Sequence, residues 1–492
     1  MSQSVDKRQL SQQAIHGTFW IYLSFVAGKS LTFVTTIILA RLLVPEQFGV
    51  MGYCIIAIQY LDILSSFGME TALISRRNRF DEAANATFFV SIAINLLLFA
   101  ATWAVSPAIA AFFREEAVIE LIGVLALTLP INALGIVPRA IIQRNLKFKL
   151  NLWSNLSRNF VKGAVAILLA WQGFGVWSLV YGQIAGELTD VAILWSLVRW
   201  RPTFKVELSV TTEILQYGIH IVGAGIIGAL LTNVDYIFVG RILGASALGY
   251  YTLAYRVPEL LIRNFNTVID KVSMPVISKF QTDIPALRSV YLRYINYLAL
   301  FVFPAGLGLA LIADIFIKTF YTSDWLPSII PMQVIAVALS ISAIGYVPGV
   351  LYKANNRPDI LTKLAFFKLP FAVVVLWLGT QAGIIGVAIA QLALATFNLT
   401  LDSLMVTHIV KLHLGDIAKA LQPALIGTLT MGGVLIIVKL LVKPEGIWGL
   451  VLMAILGALI YFVVLLIAER EMTTRISKLI LTAILPPRKA KA

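Results

Sequence analysis

The chain has one cysteine, Cys54, in 492 residues, so no disulfide forms within it and no cysteine-based metal cluster can be built. Histidine is scarce too. His16, His220, His408 and His413 are scattered, and none has zinc-type partners in the sequence. Charge is thin at 13% of residues, against about 25% in a soluble domain. Long polar stretches are missing, and no connection between apolar runs could fold as a soluble domain. These shortages exclude a disulfide scaffold, a zinc site and a water-exposed enzyme domain.

Apolar surface is abundant. Hydrophobic residues make up 59% of the chain, and the mean hydropathy is +0.87. A membrane-spanning helix needs about 20 apolar residues. Apolar runs predict about fourteen of them, at 16–42, 48–73, 82–105, 117–142, 151–171, 174–198, 213–240, 247–275, 287–313, 328–352, 359–379, 383–410, 416–442 and 446–468. The expected fold class is an all-α polytopic membrane protein. The polar start, MSQSVDKRQLSQQ, lacks a small-residue cleavage site and reads as a cytoplasmic lead-in to an uncleaved helix.

The net charge of +14 is explained by topology. On the predicted spans, 27 of the 39 Lys and Arg residues fall on the side of the N-terminus. Only Arg41, Arg114, Arg241, Lys318, Lys439 and Lys443 fall on the other. The positive-inside rule then puts both termini in the cytoplasm. The basic excess meets anionic membrane lipids rather than nucleic acid.

The chain repeats itself. ARLLVPEQFG at 40–49 aligns with GRILGASALG at 240–249, and ALGIVP at 133–138 with AIGYVP at 343–348. Asn145 then aligns with Asn355. An offset of about six helices gives both copies the same orientation, as in parallel repeats. The predicted organisation is an N-lobe at 1–212, a C-lobe at 213–414, a helix hairpin at 415–470 and a basic tail at 471–492. Two six-helix lobes then flank a central cleft, the usual place for a substrate. Such a cleft lies within one chain, so the expected working unit is a monomer.

Several ionisable residues interrupt the apolar runs. Lys29 lies in the middle of the first, where a charge costs about 2.5–3.5 kcal/mol on the most forgiving scale. AGKS at 27–30 ends like a phosphate-binding loop, but Leu23 stands where that motif needs glycine and no strand precedes it. The second helix carries Gln59, Asp62, Ser66 and Glu70 at helical spacing. The eighth carries Arg256, Glu259, Arg263, Asn266 and Asp270 in the same way. A shift of 200 places Gln59, Ser66 and Glu70 on Glu259, Asn266 and Asp270. Such stripes avoid lipid, so they face water or each other. Pairing within the eighth helix is the plainer alternative, and Glu70 and Asp270 could simply be solvated near helix ends. Arg158, Lys162 and Lys368 could line the cavity or snorkel to the cytoplasmic surface. Asp235 could pair structurally or bind a coupling ion, and Asp62 and Glu70 are the other coupling candidates. GAGIIG at 223–228 lies inside an apolar helix without a preceding strand, so it reads as helix packing, not as a nucleotide loop. No catalytic constellation, metal site or cofactor motif remains, which points to a transporter and not an enzyme.

Five stretches carry a family resemblance: LARLLVPEQFGVMGY at 39–53, DILSSFGMETALISRR at 62–77, RILGASALGYYTLAYRVPELL at 241–261, SDWLPSIIPMQVIAV at 323–337 and KANNRPDI at 353–360. They resemble Wzx-type polysaccharide repeat-unit flippases, close to the colanic-acid exporter type, in the multidrug/oligosaccharidyl-lipid/polysaccharide exporter superfamily. The resemblance implies a polyprenyl-pyrophosphate-linked oligosaccharide as substrate, moved across the bacterial cytoplasmic membrane by alternating access. It also implies a polysaccharide polymerase and a chain-length regulator as partners, and a lipid-tail role for the last two helices. Lys29, Arg256 and Arg263 would then hold the pyrophosphate or acidic sugars, and Arg158, Lys162 and Lys368 would draw the headgroup in. The rivals are a cation-coupled drug antiporter of the same superfamily, a glycan polymerase or ligase, and a pure scaffold of an assembly complex.

Overall fold

The computed structural model describes residues 26–76, 78–203, 207–263, 277, 280, 283–355, 357 and 359–468. Among them there is no β-strand. Helices α1 (26–42), α2 (Pro45–Ser66), α3 (Met69–Ser75), α4 (Phe80–Phe113), α5 (Ala117–Leu125), α6 (Thr128–Arg144), α7 (Phe148–Trp171) and α8 (Trp177–Leu197) come first. They are followed by α9 (Leu208–Phe238), α10 (Ala245–Pro258), α11 (Ile284–Phe320), α12 (Ile329–Ala354), α13 (Asp359–Thr380), α14 (Gly383–Val410), α15 (Leu414–Val442) and α16 (Gly446–Ala468).

Among the described residues the predicted spans fall mostly on helix, and nine described segments are long and apolar enough to cross a membrane; 16–25 and 264–275 of the predicted spans lie outside the described residues. The other helices include α7 and α8, which carry Arg158, Lys162, Glu187 and Asp190 in their interiors.

Local chemistry sets the breaks. The predicted helix 48–73 is two pieces, because Phe67 and Gly68 are both left-handed, with φ 42° and 61°. The α2 start has Pro45 in its first turn, and the Gln47 side chain accepts from the Val44 backbone N–H at 3.2 Å. At the start of α11, Asp283 caps the Ala286 N–H at 3.0 Å. The predicted helix 247–275 departs most. Its α-helical part ends at Pro258 and continues as a π turn over Glu259–Arg263. Proline lacks an N–H and its ring crowds the preceding turn, which favours such a change of pitch.

Contacts divide the chain into two compact units, at Thr252 and Leu253, inside α10. In the first unit, Met69, Leu73, Ala84, Val137 and Ala140 form one buried cluster, and Leu39, Leu43, Ala166 and Ala170 another. GAGIIG at 223–228 lies in α9, which packs on α2, and a Cβ on Gly225 would lie 2.7 Å from Ile63. In the second unit, Tyr291, Leu298, Val302, Ile344, Val347 and Val406 join α11, α12 and α14. The α15–α16 hairpin docks on α11. Lys439 Nζ donates to Asp314 at 2.6 Å and to the Leu311 carbonyl at 2.7 Å, and Tyr461 Oη donates to the Leu300 carbonyl at 2.7 Å.

Candidate functional site

The first unit contains a buried charge network, built where α7 and α8 run close together. Gly182 and Gly186 of α8 make the approach possible. A Cβ on Gly182 would lie 2.8 Å from the Lys162 carbonyl oxygen, and one on Gly186 2.9 Å from Lys162 Cβ and 3.1 Å from the Arg158 carbonyl oxygen. Small residues four apart are how membrane helices bring their backbones together. This closeness lets short carboxylates on α8 reach α7.

Arg158 Nη2 donates to Glu187 Oε1, and Gln183 Nε2 donates to the same oxygen at 3.0 Å. The Glu187 side chain is 3% exposed. One turn on, Asp190 accepts from Ser154 Oγ and, at 2.7 Å, from Arg139 Nη2 of α6. Glu70 of α3 accepts from Gln143 Nε2 at 2.6 Å and lies within electrostatic range of Arg139 and Asp190. Asp62 of α2 is exposed and interacts electrostatically with Glu187 and Arg158. Lys162 acts on Glu187 in the same way. The structure thus joins four residues singled out in the sequence, Asp62, Glu70, Arg158 and Lys162, in one network.

The second unit has a related pair. Lys368 Nζ of α13 donates to Asp402 Oδ2 of α14 at 2.7 Å, with side chains 21% and 8% exposed. Tyr352 Oη donates to the Asp402 backbone carbonyl at 3.2 Å. Lys368 follows Arg158 by 210 residues and Asp402 follows Asp190 by 212, close to the repeat offset. Each unit thus has a cation on one helix bonded to a carboxylate on the next, with Arg158 held by Glu187 and not by Asp190.

The other candidates are spread out. Lys29 is exposed on α1, next to Gly28, which packs against Asn159 of α7. Asp235 of α9 is buried and accepts from Tyr251 Oη of α10 at 2.9 Å. Arg256 is half-buried within electrostatic range of Tyr321. Glu259 is half-buried in the π turn. Arg263 closes that turn; its side chain, with Asn266 and Asp270, lies outside the described residues. The π turn also changes the spacing on which the five-residue stripe of the eighth helix was argued, since faces three and four apart belong to α-helical pitch.

Sequence reasoning passed over Glu187, Asp190 and Asp402, and counted Arg139 as a loop charge. The signal was present, since each carboxylate interrupts an apolar helix. Their effect is large. Arg158 and Lys368, expected either to line the cavity or to snorkel, are held by buried carboxylates.

The family model described as polysaccharide biosynthesis protein matches residues 38–330. The chain belongs to that family. Within the curated relatives, the teichuronic acid biosynthesis protein TuaB of Bacillus subtilis (strain 168) is 23% identical over 431 residues, 86% of this chain and 88% of that one. The lipopolysaccharide biosynthesis protein WzxC of Escherichia coli (strain K12) is 27% identical over 401 residues, 80% of each chain. The lipid II flippase MurJ, in an inward closed conformation, superposes with a TM-score of 0.74 at 16% identity, covering 93% of this chain and 99% of that one. An inward-facing multidrug resistance transporter of the MATE family superposes with a TM-score of 0.60 at 17% identity, covering 78% of this chain and 96% of that one. The family member described here is a multi-span membrane protein with the fold of these transporters.

Proposed function

We propose that this protein moves a polyprenyl-pyrophosphate-linked oligosaccharide repeat unit from the inner to the outer leaflet of the bacterial cytoplasmic membrane, by alternating access, for surface polysaccharide assembly. The observation that carries the reading is the extent of the fold likeness. The lipid II flippase accounts for 93% of the chain, whereas the multidrug transporter accounts for 78%. Family membership and the names of TuaB and WzxC point to glycan assembly as well.

The site chemistry suits such a substrate. A pyrophosphate needs cationic donors, and ionic contacts are stronger away from bulk water. Lys29, Arg256 and Arg263 are the proposed pyrophosphate partners. Arg158, Lys162 and Lys368 meet the headgroup, with Arg158 and Lys368 exchanging a carboxylate partner for a phosphate. Asp62, Glu70, Asp235 and Glu259 supply polar or coupling groups. Both termini lie in the cytoplasm, a polymerase and a chain-length regulator act downstream, and one chain is the working unit. The protein performs no bond chemistry.

The test is complementation. In a strain lacking the gene, wild type restores surface polysaccharide and Lys29→Ala, present at the same membrane level, does not. Restoration by Lys29→Ala removes Lys29 from the site. No polymer defect in the deletion strain removes the export reading.

A further inference from the structure

Helix α7 has two unlike sides. Successive residues of an α-helix turn by about 100°, so Trp153, Phe160, Leu168 and Trp171 share one side, and all four are exposed. The opposite side carries Asn151, Asn155, Arg158, Asn159 and Lys162. That polar side meets the neighbouring helices. Gly186 of α8 packs on Arg158 and Lys162, and a Cβ on Gly28 of α1 would lie 3.0 Å from Asn159 Nδ2. Asn155 falls between these two contacts, yet it is exposed. An amide exposed to hydrocarbon would go without hydrogen bonds. The lipid side of α7 is its apolar one, so Asn155 opens on water.

A second, independent observation separates these amides from the scaffold. At the offset of 210 that matches Arg158 with Lys368, the second unit has Leu361, Ala365 and Leu369 where the first has Asn151, Asn155 and Asn159. The cation recurs and the amides do not. Packing of the repeated helix therefore does not require them. Their surroundings are polar and accessible. Lys29, next to Gly28, is exposed on α1, and the exposed Asp62 of α2 lies within electrostatic range of Arg158.

We infer that Asn155 and Asn159 read the glycan, as a hydroxyl-recognising face for an uncharged sugar beside the cations proposed for the pyrophosphate. This role rests on the export reading. A carboxamide presents an N–H donor and a C=O acceptor side by side. Two adjacent ring hydroxyls, each able to donate and accept, match that pair. Cations hold one pyrophosphate as well as another, so they do not select among neutral sugars. A site that bonds a particular hydroxyl does, because a ligand lacking it leaves the amide unpaired.

The test uses full-length protein in nanodiscs of phosphatidylethanolamine and phosphatidylglycerol, with two probes. One is oligosaccharide of repeat-unit size cut from the host's surface polysaccharide. The other is polyprenyl pyrophosphate without sugar. Wild type binds both. Asn155→Ala and Asn159→Leu, which introduce what the second unit carries, each weaken oligosaccharide binding about tenfold and leave polyprenyl pyrophosphate binding unchanged. Lys29→Ala does the reverse. If Asn159→Leu does not fold, Asn155→Ala, at the exposed position, decides. Oligosaccharide binding that is absent in wild type, or equal in wild type and variants, overturns the inference. Equal loss of both probes in the asparagine variants also overturns it and makes the amides packing residues. The leaflet location of repeat units in the deletion strain tests export separately: units stranded inside leave export standing even where the asparagines fail.

Discussion

Gly49 and Gly249 make the same contact from opposite sides. A Cβ on Gly49 would lie 1.7 Å from the Ala245 carbonyl oxygen, and a Cβ on Gly249 would lie 2.0 Å from that of Pro45. Gly49 and Gly249 are repeat mates, and so are Pro45 and Ala245, each pair 200 residues apart. The first turns of α2 and α10 therefore meet backbone to backbone. Either glycine replaced by alanine should cost about 1–3 kcal/mol through overpacking. Because both changes part the same two helices, the double variant should lose less than the sum. Thermal melting of the purified protein reads this, and two additive losses would contradict the shared contact.

The Lys368–Asp402 pair makes a second prediction. Lys368→Met leaves a buried carboxylate without its cation and should destabilise the second unit by about 3–5 kcal/mol. Lys368→Met with Asp402→Leu should recover most of that loss, because both charges are gone. Denaturant-dependent unfolding in detergent distinguishes the two. Equal damage in the single and double variants would show that the pair is not the cause.

Close packing of α7 on α8 should be as necessary as the charges it positions. Gly186→Leu pushes against Lys162 Cβ and the Arg158 backbone, and so separates the two helices that hold Arg158 and Glu187. Surface polysaccharide should fall to the level of the deletion strain, with protein still present in the membrane. Gly433→Leu is the control, since a Cβ there meets nothing within 4 Å. Matching export by the two variants would rule out a role for the close approach.

Lys439 fixes the C-terminal hairpin. Lys439→Ala removes its bonds to Asp314 and the Leu311 carbonyl and should cost about 1–3 kcal/mol. Limited proteolysis in membranes should then cut between α15 and α16 faster than in wild type. Unchanged cleavage would mean that the Tyr461 contact and apolar packing suffice.

Apolar runs located the helices well, because a membrane segment must be long and continuous in composition. The breaks at Phe67–Gly68 and Pro258 were harder to place. The first depends on two left-handed residues inside an apolar run, and the second on a change of helical pitch. The site was legible as a set of charges but not as a set of pairs. Spacing along one helix shows which residues share a face. It does not show that Gly182 and Gly186 bring α8 close enough for Glu187 to reach Arg158. The repeat offset held the missing hint, since Asp190 and Asp402 fall near corresponding positions.

The central claim is that this chain carries a lipid-linked glycan across the membrane, and leaflet location tests it most directly. In a deletion strain, lipid-linked repeat units are probed with a membrane-impermeant glycan-modifying reagent in intact and in opened spheroplasts. The account predicts units reachable only after opening, and reachable from outside once the wild-type gene is restored. Units equally reachable from outside without the gene would contradict it.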